Sequence, residues 1–512
     1  TAIYTLDISR PGMVVAVVKR PPRFGGLVKS FDDTDAKDIK GYVGSVKTPR
    51  GVAVMAKNTW AAIKARDAIT VDWDDSQAEM RGSEQIMAEY RELAQTPGLP
   101  ARNDGDAIAA ISEAKHTLEI SYDFPYLAHA PMETLDCVIE QTDQGAEVWT
   151  GSQIPTGDQH TVATILGLNP EQVKIHTQLA GGSFGRRATS DSDMVSEAAM
   201  IVKASKGNVP VKLVWTREDD IQGGRYRPAY HHKLKAGLDD QGNITGWQHS
   251  IVGQSIVAGT AFEGFLVKDG VDATSVEGAA NLPYDIPNIS VDLTTTDVKV
   301  PVLWWRSVGS THTAYSTETF IDQLASKAGK DPVDFRRSML KDHPRHLATL
   351  NLVAEKANWD SPIAKGRYRG IAVHESFSSV VAQIAEISFD EDGVLKVEKV
   401  WCAVDCGIVV NPDVVKAQME GGIGFGLGAV LRNAVTLDEG IVDQSNFHDY
   451  EPLRLTDMPE VDVYIVPSEA APTGVGEPGV PPIGPAVANA IFAAKGTMVT
   501  KLPFSEGMPD LV

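Results

Sequence analysis

The chain of 512 residues carries 47 Lys and Arg against 68 Asp and Glu, a net charge of −21. Its length allows roughly three to four domains of about 150 residues each, and 43% hydrophobic with 22% charged residues is a globular composition, not a disordered one. The acidic balance argues against a nucleic-acid binder, which needs a basic stripe for phosphates, and against polybasic docking on anionic lipid.

In chain order, the apolar runs 13–18 and 51–56 predict strands. Residues 58–69 predict a helix capped by Asn58, with Trp60, Ala61, Ile63 and Ala65 on its apolar stripe. A strand over 69–73 and a helix over 83–95, with Ser83 as cap, complete a small α/β unit. The Pro- and Gly-containing stretch 96–106 is the best boundary candidate. Further strands are predicted over 117–124, 146–149, 173–178 and 211–216, and helices over 190–203, 316–329, 413–430 and 485–495. Two hairpin patterns resemble each other: 234–253 turns at 240–243, and 384–400 turns at 390–393. They hint at two related halves, with a soft boundary near 344–351.

Cys137, Cys402 and Cys406 are the only cysteines, an odd set without a CxxC pair. They form no disulfide framework, and an all-cysteine iron–sulfur cluster needs four thiolates. No apolar run approaches the ~18 residues of a membrane span. The first residue is Thr1 and no signal pattern follows it.

Four motifs carry possible chemistry. Residues 178–187 (QLAGGSFGRR) join a predicted strand to a predicted helix. Glycines let backbone N–H groups approach an anion, and two arginines suit a phosphate; a tight turn with solvated arginines fits as well. Residues 421–428 (GGIGFGLG) contain a G-x-G-x-x-A pattern, but inside a predicted helix, so close helix packing is the better reading than a dinucleotide site. Residues 474–482 (GVGEPGVPP) hold Glu477 in a Gly/Pro cage before an apolar helix, as a general base with raised pKa or as a helix-dipole carboxylate. Residues 302–309 (VLWWRSVG) combine Trp304, Trp305 and Arg306, either as a lined pocket with an anion anchor or as a core strand. His129 with Glu133, His343 with His346, and His374 with Glu375 are weak metal candidates, because none places a His pair on one helix face.

Taken together, these segments resemble the molybdenum-binding large subunit of the xanthine oxidase/aldehyde oxidase family. The resemblance is to the subgroup of isoquinoline 1-oxidoreductase β-subunits and membrane-associated aldehyde dehydrogenase large subunits. It runs from Arg10-Pro11-Gly12-Met13 through residues 126–137, 181–187, 215–230, 304–309, 403–422 and 474–494. It implies an α+β fold: a small α/β hammerhead domain (1–98) followed by two related mixed α+β molybdopterin-binding domains (99–345 and 346–512). It implies a molybdopterin, in its cytosine dinucleotide form, that holds molybdenum without protein ligands.

By the same resemblance, Gly181, Gly182, Ser183, Phe184, Gly185 and Arg186 form the loop beside the metal. Gln153 matches a glutamine that hydrogen-bonds a molybdenum oxygen, Gln418 a cofactor-binding glutamine, and Gly476 is a further cofactor-binding residue. Arg306 matches the pyrophosphate arginine, in a WWRSVG variant of FRGFG. Phe184, Trp304 and Trp305 line the substrate pocket, and Glu477 matches the general base. The implied reaction is oxidation of aldehydes to carboxylic acids with water as oxygen source; the alternative is hydroxylation of an N-heteroaromatic ring beside its nitrogen. Electrons would leave one at a time to a small 2Fe-2S subunit and then to a haem c cytochrome. That cytochrome would attach the complex to the membrane on the periplasmic side; a cytoplasmic location stays open.

Three departures qualify the resemblance. Ala188 stands where purine oxidisers carry a glutamate, which argues against purines. The family's EMGQG-type cofactor segment is absent from these residues, so Thr1 is expected to begin partway through a longer subunit. No segment matches an iron–sulfur or flavin domain. A non-catalytic scaffold and a nicotinamide-dependent dehydrogenase are the readings from other classes; intact Glu477 and Arg306 count against the first, and the misplaced glycine motif against the second.

Overall fold

In the computed structural model residues 2–206 and 209–512 are described, so Thr1 lies outside them. The architecture is α+β, and two sheets share one plan. His116–Phe124 pairs antiparallel with Tyr230–Leu238, which pairs antiparallel with Ile244–Gly253, which runs parallel to Ile289–Thr295. Tyr368–Ser376, Ser379–Phe389, Leu395–Asp405 and Glu460–Ile465 repeat the same order of pairings. The two similar hairpins are the equivalent central pair of each sheet. Their turns are built alike: Asp239 Oδ1 accepts from the backbone of Gln241 and Asn243, and Asp390 Oδ1 from that of Asp392 and Val394.

In both halves a loop leaves the parallel fourth strand and enters a helix, Ser310–Lys327 in the first and Ile483–Lys495 in the second. The two helices pack together at the centre of the main core. Asn489 on the second helix donates to Ile371 O at 2.9 Å and to Glu318 O on the first at 3.3 Å. The loops before these helices are therefore brought to the same place by symmetry of construction.

The first 98 residues hold a two-stranded sheet of their own, Leu27–Asp32 with Thr70–Asp74, but their longer strands join a sheet with later residues. Val14–Lys19, Gly51–Ala56 and Tyr42–Thr48 form one side of a seven-stranded sheet. Its other strands are Asp136–Thr142, Gly145–Thr150, Val173–Thr177 and Val211–Val214. The join is the parallel pairing of Val14 with Val211.

Several local expectations change. Asn58 does cap its helix, accepting from Ala61 N at 2.9 Å, but Trp60 is 67% exposed and only Ala61, Ala62 and Ala65 of Thr59–Ala68 are buried. The small face suffices because the helix lies close over a valine-rich strand. Gly82, not Ser83, is the N-cap of Ser83–Leu93. The Ser83 hydroxyl instead accepts from Leu437 N, tying this helix to the far half of the chain. Within the boundary candidate 96–106, Leu99–Asp104 forms the edge strand of the five-stranded sheet, where Pro100 is tolerated.

The glycine-rich run lies within the helix Pro412–Leu431 and serves packing. A Cβ on Gly422 would sit 3.0 Å from the backbone of Gly479, and one on Gly426 2.7 Å from Ile483 Cγ2. These glycines let the Glu477 loop lie directly on the helix. Gly426→Val should therefore overpack this contact and cost about 1–3 kcal/mol, read as a lower melting temperature. An unchanged melting curve would contradict the close packing.

Candidate functional site

The two loops that precede the paired helices face each other and lock together. Ser307 N donates to Glu477 Oε1 at 2.9 Å, and Ser307 Oγ donates to Glu477 O at 2.7 Å. Ser307 and Val308 have φ of 78° and 49°, the left-handed region that non-glycine residues avoid, β-branched valine most of all. Such a turn costs on the order of 1–3 kcal/mol per residue and persists only where its surroundings dictate it. Here Glu477 holds one end. Glu277 holds the other, accepting from Gly309 N at 2.8 Å and Ser310 N at 3.3 Å.

Arg306 projects from the same turn. Its Nη2 donates to Gly476 O at 2.6 Å and to Gln418 Oε1 at 2.9 Å, and Nε also donates to Gly476 O. No carboxylate pairs with it among the described residues, so its charge remains available to an anion. Burial draws its pKa down, and the nearby Glu477 pulls it back up.

The third wall is the glycine loop after Val173–Thr177. Phe184 (φ 58°) and Gly185 (φ 103°) turn this loop sharply. A Cβ on Gly185 would lie 2.6 Å from Trp304 O, so only glycine permits the approach. Ser183 Oγ donates to Gln153 Oε1. Phe184 stacks on Phe425 and Phe425 on Trp305, both at 4.4 Å between centroids, which makes one flat aromatic wall.

An open cleft of ≈ 1210 Å³ results. It brings together Gln153, Ser183, Phe184, Gly185, Trp304, Trp305, Arg306, Gln418, Gly476 and Glu477, with Val308 and Phe377 added. Trp305 is only 3% exposed and donates its indole N–H to Ala128 O, so it backs the wall while Trp304 and Phe184 present to the cleft.

Four expected residues fall elsewhere. Arg186 is buried at 2% exposure and pairs in two-pronged fashion with Asp193, so it offers nothing to a phosphate in the cleft. Arg187 likewise turns inward to Asp136. Both anion anchors expected of this loop are thus structural ion pairs, and low-dielectric burial demands such pairing. Gly181 and Gly182 lie behind the cleft lining; Gly181 N donates to Glu133 Oε2 at 2.7 Å, which fixes the base of the loop.

Burial pushes the pKa of Glu477 up, while the Ser307 N–H and Arg306 oppose the shift. Burial also pushes Glu277 up, to about 7, against its two backbone donors. Among the described residues no three His, Cys, Asp or Glu side chains gather to hold a metal ion, so a metal here would bring its own ligands. His129 bonds Trp304 O at 2.8 Å, and burial holds its pKa near 3.

Sequence reasoning missed Glu277, Phe377 and Phe425. Glu277 sits 200 residues before its counterpart Glu477, with no local pattern to mark it. Phe377 and Ser378 both have positive φ at the hairpin tip, where Asn-Gly would be the recognisable signal. Phe425 was hidden inside the glycine-rich helix, and its only clue was a lone aromatic among glycines.

Comparison with known proteins now adds to this geometry. Residues 92–340 and 279–459 each match a family model described as a molybdopterin cofactor-binding domain. The chain is 33% identical to the isoquinoline 1-oxidoreductase subunit beta of Brevundimonas diminuta, covering all of this chain and 67% of that one. It is 31% identical to the membrane-bound aldehyde dehydrogenase [pyrroloquinoline-quinone] of Gluconacetobacter polyoxogenes, over 98% of this chain and 69% of that one. The fold is shared with quinoline 2-oxidoreductase from Pseudomonas putida 86, with a TM-score of 0.82 at 15% identity, covering 98% of this chain and 94% of that one.

Glu277 yields a test of the turn. Glu277→Ala should strand two buried N–H groups at a cost of about 1–3 kcal/mol, seen as a lower melting temperature, whereas Glu277→Gln keeps an acceptor. A carboxyl whose folded pKa is raised holds its proton in the folded state and loses it in the unfolded state. Its contribution to stability is full below about pH 4.5 and disappears as pH rises through about 7. The fall in melting temperature over that window should be shallower in Glu277→Gln than in the unaltered protein; equal slopes would contradict the assignment.

Proposed function

This chain belongs to the molybdopterin-binding large subunits of the xanthine oxidase/aldehyde oxidase family, and from that premise we propose that it oxidises aldehydes to carboxylic acids. It is the catalytic large subunit of a molybdenum hydroxylase, a molybdopterin-dependent oxidoreductase. The observation that carries the reading is the carboxylate of Glu477, fixed at the cleft and raised in pKa by burial.

The residues present suit the cofactor. Arg306 has no acid partner, Gln153, Ser183 and Gln418 add polar groups, and the cleft is wide. When bound, the cofactor supplies two-electron redox chemistry and an oxygen atom that originates in water. Arg306, Gln153 and Gln418 would hold it, and Ser183, Phe184, Gly185 and Gly476 would pack around it. Arg186 is not included, because its charge is consumed by Asp193.

Glu477 is the general base. Ser307 N–H occupies Oε1, so Oε2 is the atom left to accept a proton as oxygen transfer begins. Desolvation raises its affinity for that proton toward working pH. The wall of Phe184 and Trp304, backed by Phe425 and Trp305, orients an apolar substrate and keeps bulk water from the reacting carbon.

The same flat wall favours a second reading, hydroxylation of an N-heteroaromatic ring beside nitrogen. Both substrate classes, isoquinoline and aldehyde, occur in the names of relatives. Turnover of acetaldehyde without isoquinoline supports the first reading; isoquinoline turnover without acetaldehyde replaces it with the second.

Finer features complete the proposal. The pterin is the cytosine dinucleotide form. Cys137, Cys402 and Cys406 are each buried as free thiols, and in this reading electrons pass to a 2Fe-2S subunit and on to a haem c cytochrome. The complex sits in the periplasm, held to the membrane by that cytochrome. Among the described residues no helix of this chain is long and apolar enough to cross a membrane.

Glu477→Gln should lower turnover at least about a hundredfold, the low end for loss of a general base, while molybdenum content stays unchanged. Turnover within a fewfold of the unaltered enzyme would remove Glu477 from the role. In the unaltered enzyme, activity should fall as pH drops through the raised pKa of Glu477, because the protonated carboxyl cannot act as base.

A further inference from the structure

The two-residue turn between Tyr368–Ser376 and Ser379–Phe389 is built from residues that do not suit it. Phe377 and Ser378 have φ of 52° and 60°, a conformation that favours Asn-Gly and strains a bulky side chain. Strain of this kind persists only where the surroundings impose it, and it collects at functional sites.

Here hydrogen bonds on both sides of the tip impose it. Gly474 N donates to Phe377 O at 3.2 Å, and Ser379 Oγ donates to Gly474 O at 2.7 Å and shares a hydrogen bond of 2.6 Å with Thr473 Oγ1. Arg345 Nη1 donates to Ser378 O at 3.0 Å, and Arg345 is itself held by the Asp405 carboxylate. A Cβ on Gly474 would lie 2.9 Å from Phe377 Cβ, so the tip lies directly against this segment. Gly474 stands three residues before Glu477, and the hairpin tip and the loop of the base are thereby fixed to each other.

What the strained tip delivers is an aromatic ring in the cleft. Phe377 is 42% exposed, so core packing does not account for it. Phe184, Trp304, Trp305 and Phe377 are the rings that line the cleft. Phe184 and Trp305 both stack on Phe425, and Trp304 packs against Phe262. Among the described residues Phe377 alone of the four packs against no other ring. Its ring also brings no charge or hydrogen bond to a phosphate, unlike Arg306 and Gln418, so it is no part of an anion grip.

We propose that Phe377 is a specificity-determining residue whose free ring packs on the flat aromatic group of an aryl aldehyde while the carbonyl carbon lies at Glu477. The inference rests on the aldehyde-oxidising reading above and names the class of aldehyde that the cleft prefers. A ring fixed to the loop of the base holds an aryl substrate in register with that base. Acetaldehyde carries only a methyl group and gains little from the same ring.

Phe377→Asn in the holoenzyme provides the test, because asparagine suits the turn and removes only the ring. KM for benzaldehyde, and Kd for the unreactive benzamide by calorimetric titration, should each rise roughly fivefold to tenfold, while KM for acetaldehyde stays within about twofold. The kcat values and the molybdenum content should hold, and the melting temperature should stay level or rise as the strain is relieved. Phe377→Tyr should keep the preference for benzaldehyde. Equal losses with both aldehydes, no loss with either, a fall in molybdenum content or a lower melting temperature would each overturn the proposal. If the unaltered enzyme oxidises neither aldehyde, the proposed reaction fails and benzamide decides for Phe377. A Kd that rises in Phe377→Asn then upholds its contact with a flat ring, and an unchanged Kd, or no binding to the unaltered enzyme, overturns it.

Discussion

The site depends on one clasp: Ser307 of the first half gives both its backbone N–H and its hydroxyl to Glu477 of the second. Each residue stands in the loop that follows the parallel strand of its own sheet. A repeated architecture thus delivers two different loops to one point, and the clasp converts that symmetry into an asymmetric centre with a cation on one side and a carboxylate on the other. The left-handed backbone at Ser307 and Val308 is the strain this arrangement tolerates in return.

The surroundings can be read as support for the clasp. The glycine-rich helix removes side chains where the Glu477 loop must lie. Gln418 on that helix takes a hydrogen bond from Arg306, which also grips Gly476 O, so base and cation are fixed to each other through backbone. Glu277 steadies the far end of the turn. The Phe184, Phe425 and Trp305 stack joins the glycine loop, the glycine-rich helix and the tryptophan segment into one wall. Each of the three elements contributes one ring.

Much of this was legible in sequence because the unusual backbone needs unusual residues. The Gly/Pro cage around Glu477 and the glycines before Phe184 announce themselves, and the two Asp-headed hairpins revealed the repeat. What stayed hidden was decided by contacts distant in sequence. Arg186 looks like an anion anchor until Asp193 folds beneath it. The stretch 96–106, rich in turn residues, shows no strand pattern, yet Ile289–Thr295 recruits Leu99–Asp104 as an edge strand. Trp60 looks like core on helical spacing, yet only the alanine face is covered. Glu277 carries no local signature, since its role exists only once Gly309 and Ser310 are brought to it.

The central claim is that the clasped carboxylate faces the reacting centre. A crystal structure with the molybdopterin bound tests it most directly. The account requires the metal to lie in the cleft with one of its oxygen ligands about 2.6–3.2 Å from Glu477 Oε2, within reach of a general base, while Oε1 keeps the Ser307 N–H. A cofactor seated elsewhere, or a Glu477 turned away from the metal with the clasp broken, would contradict it.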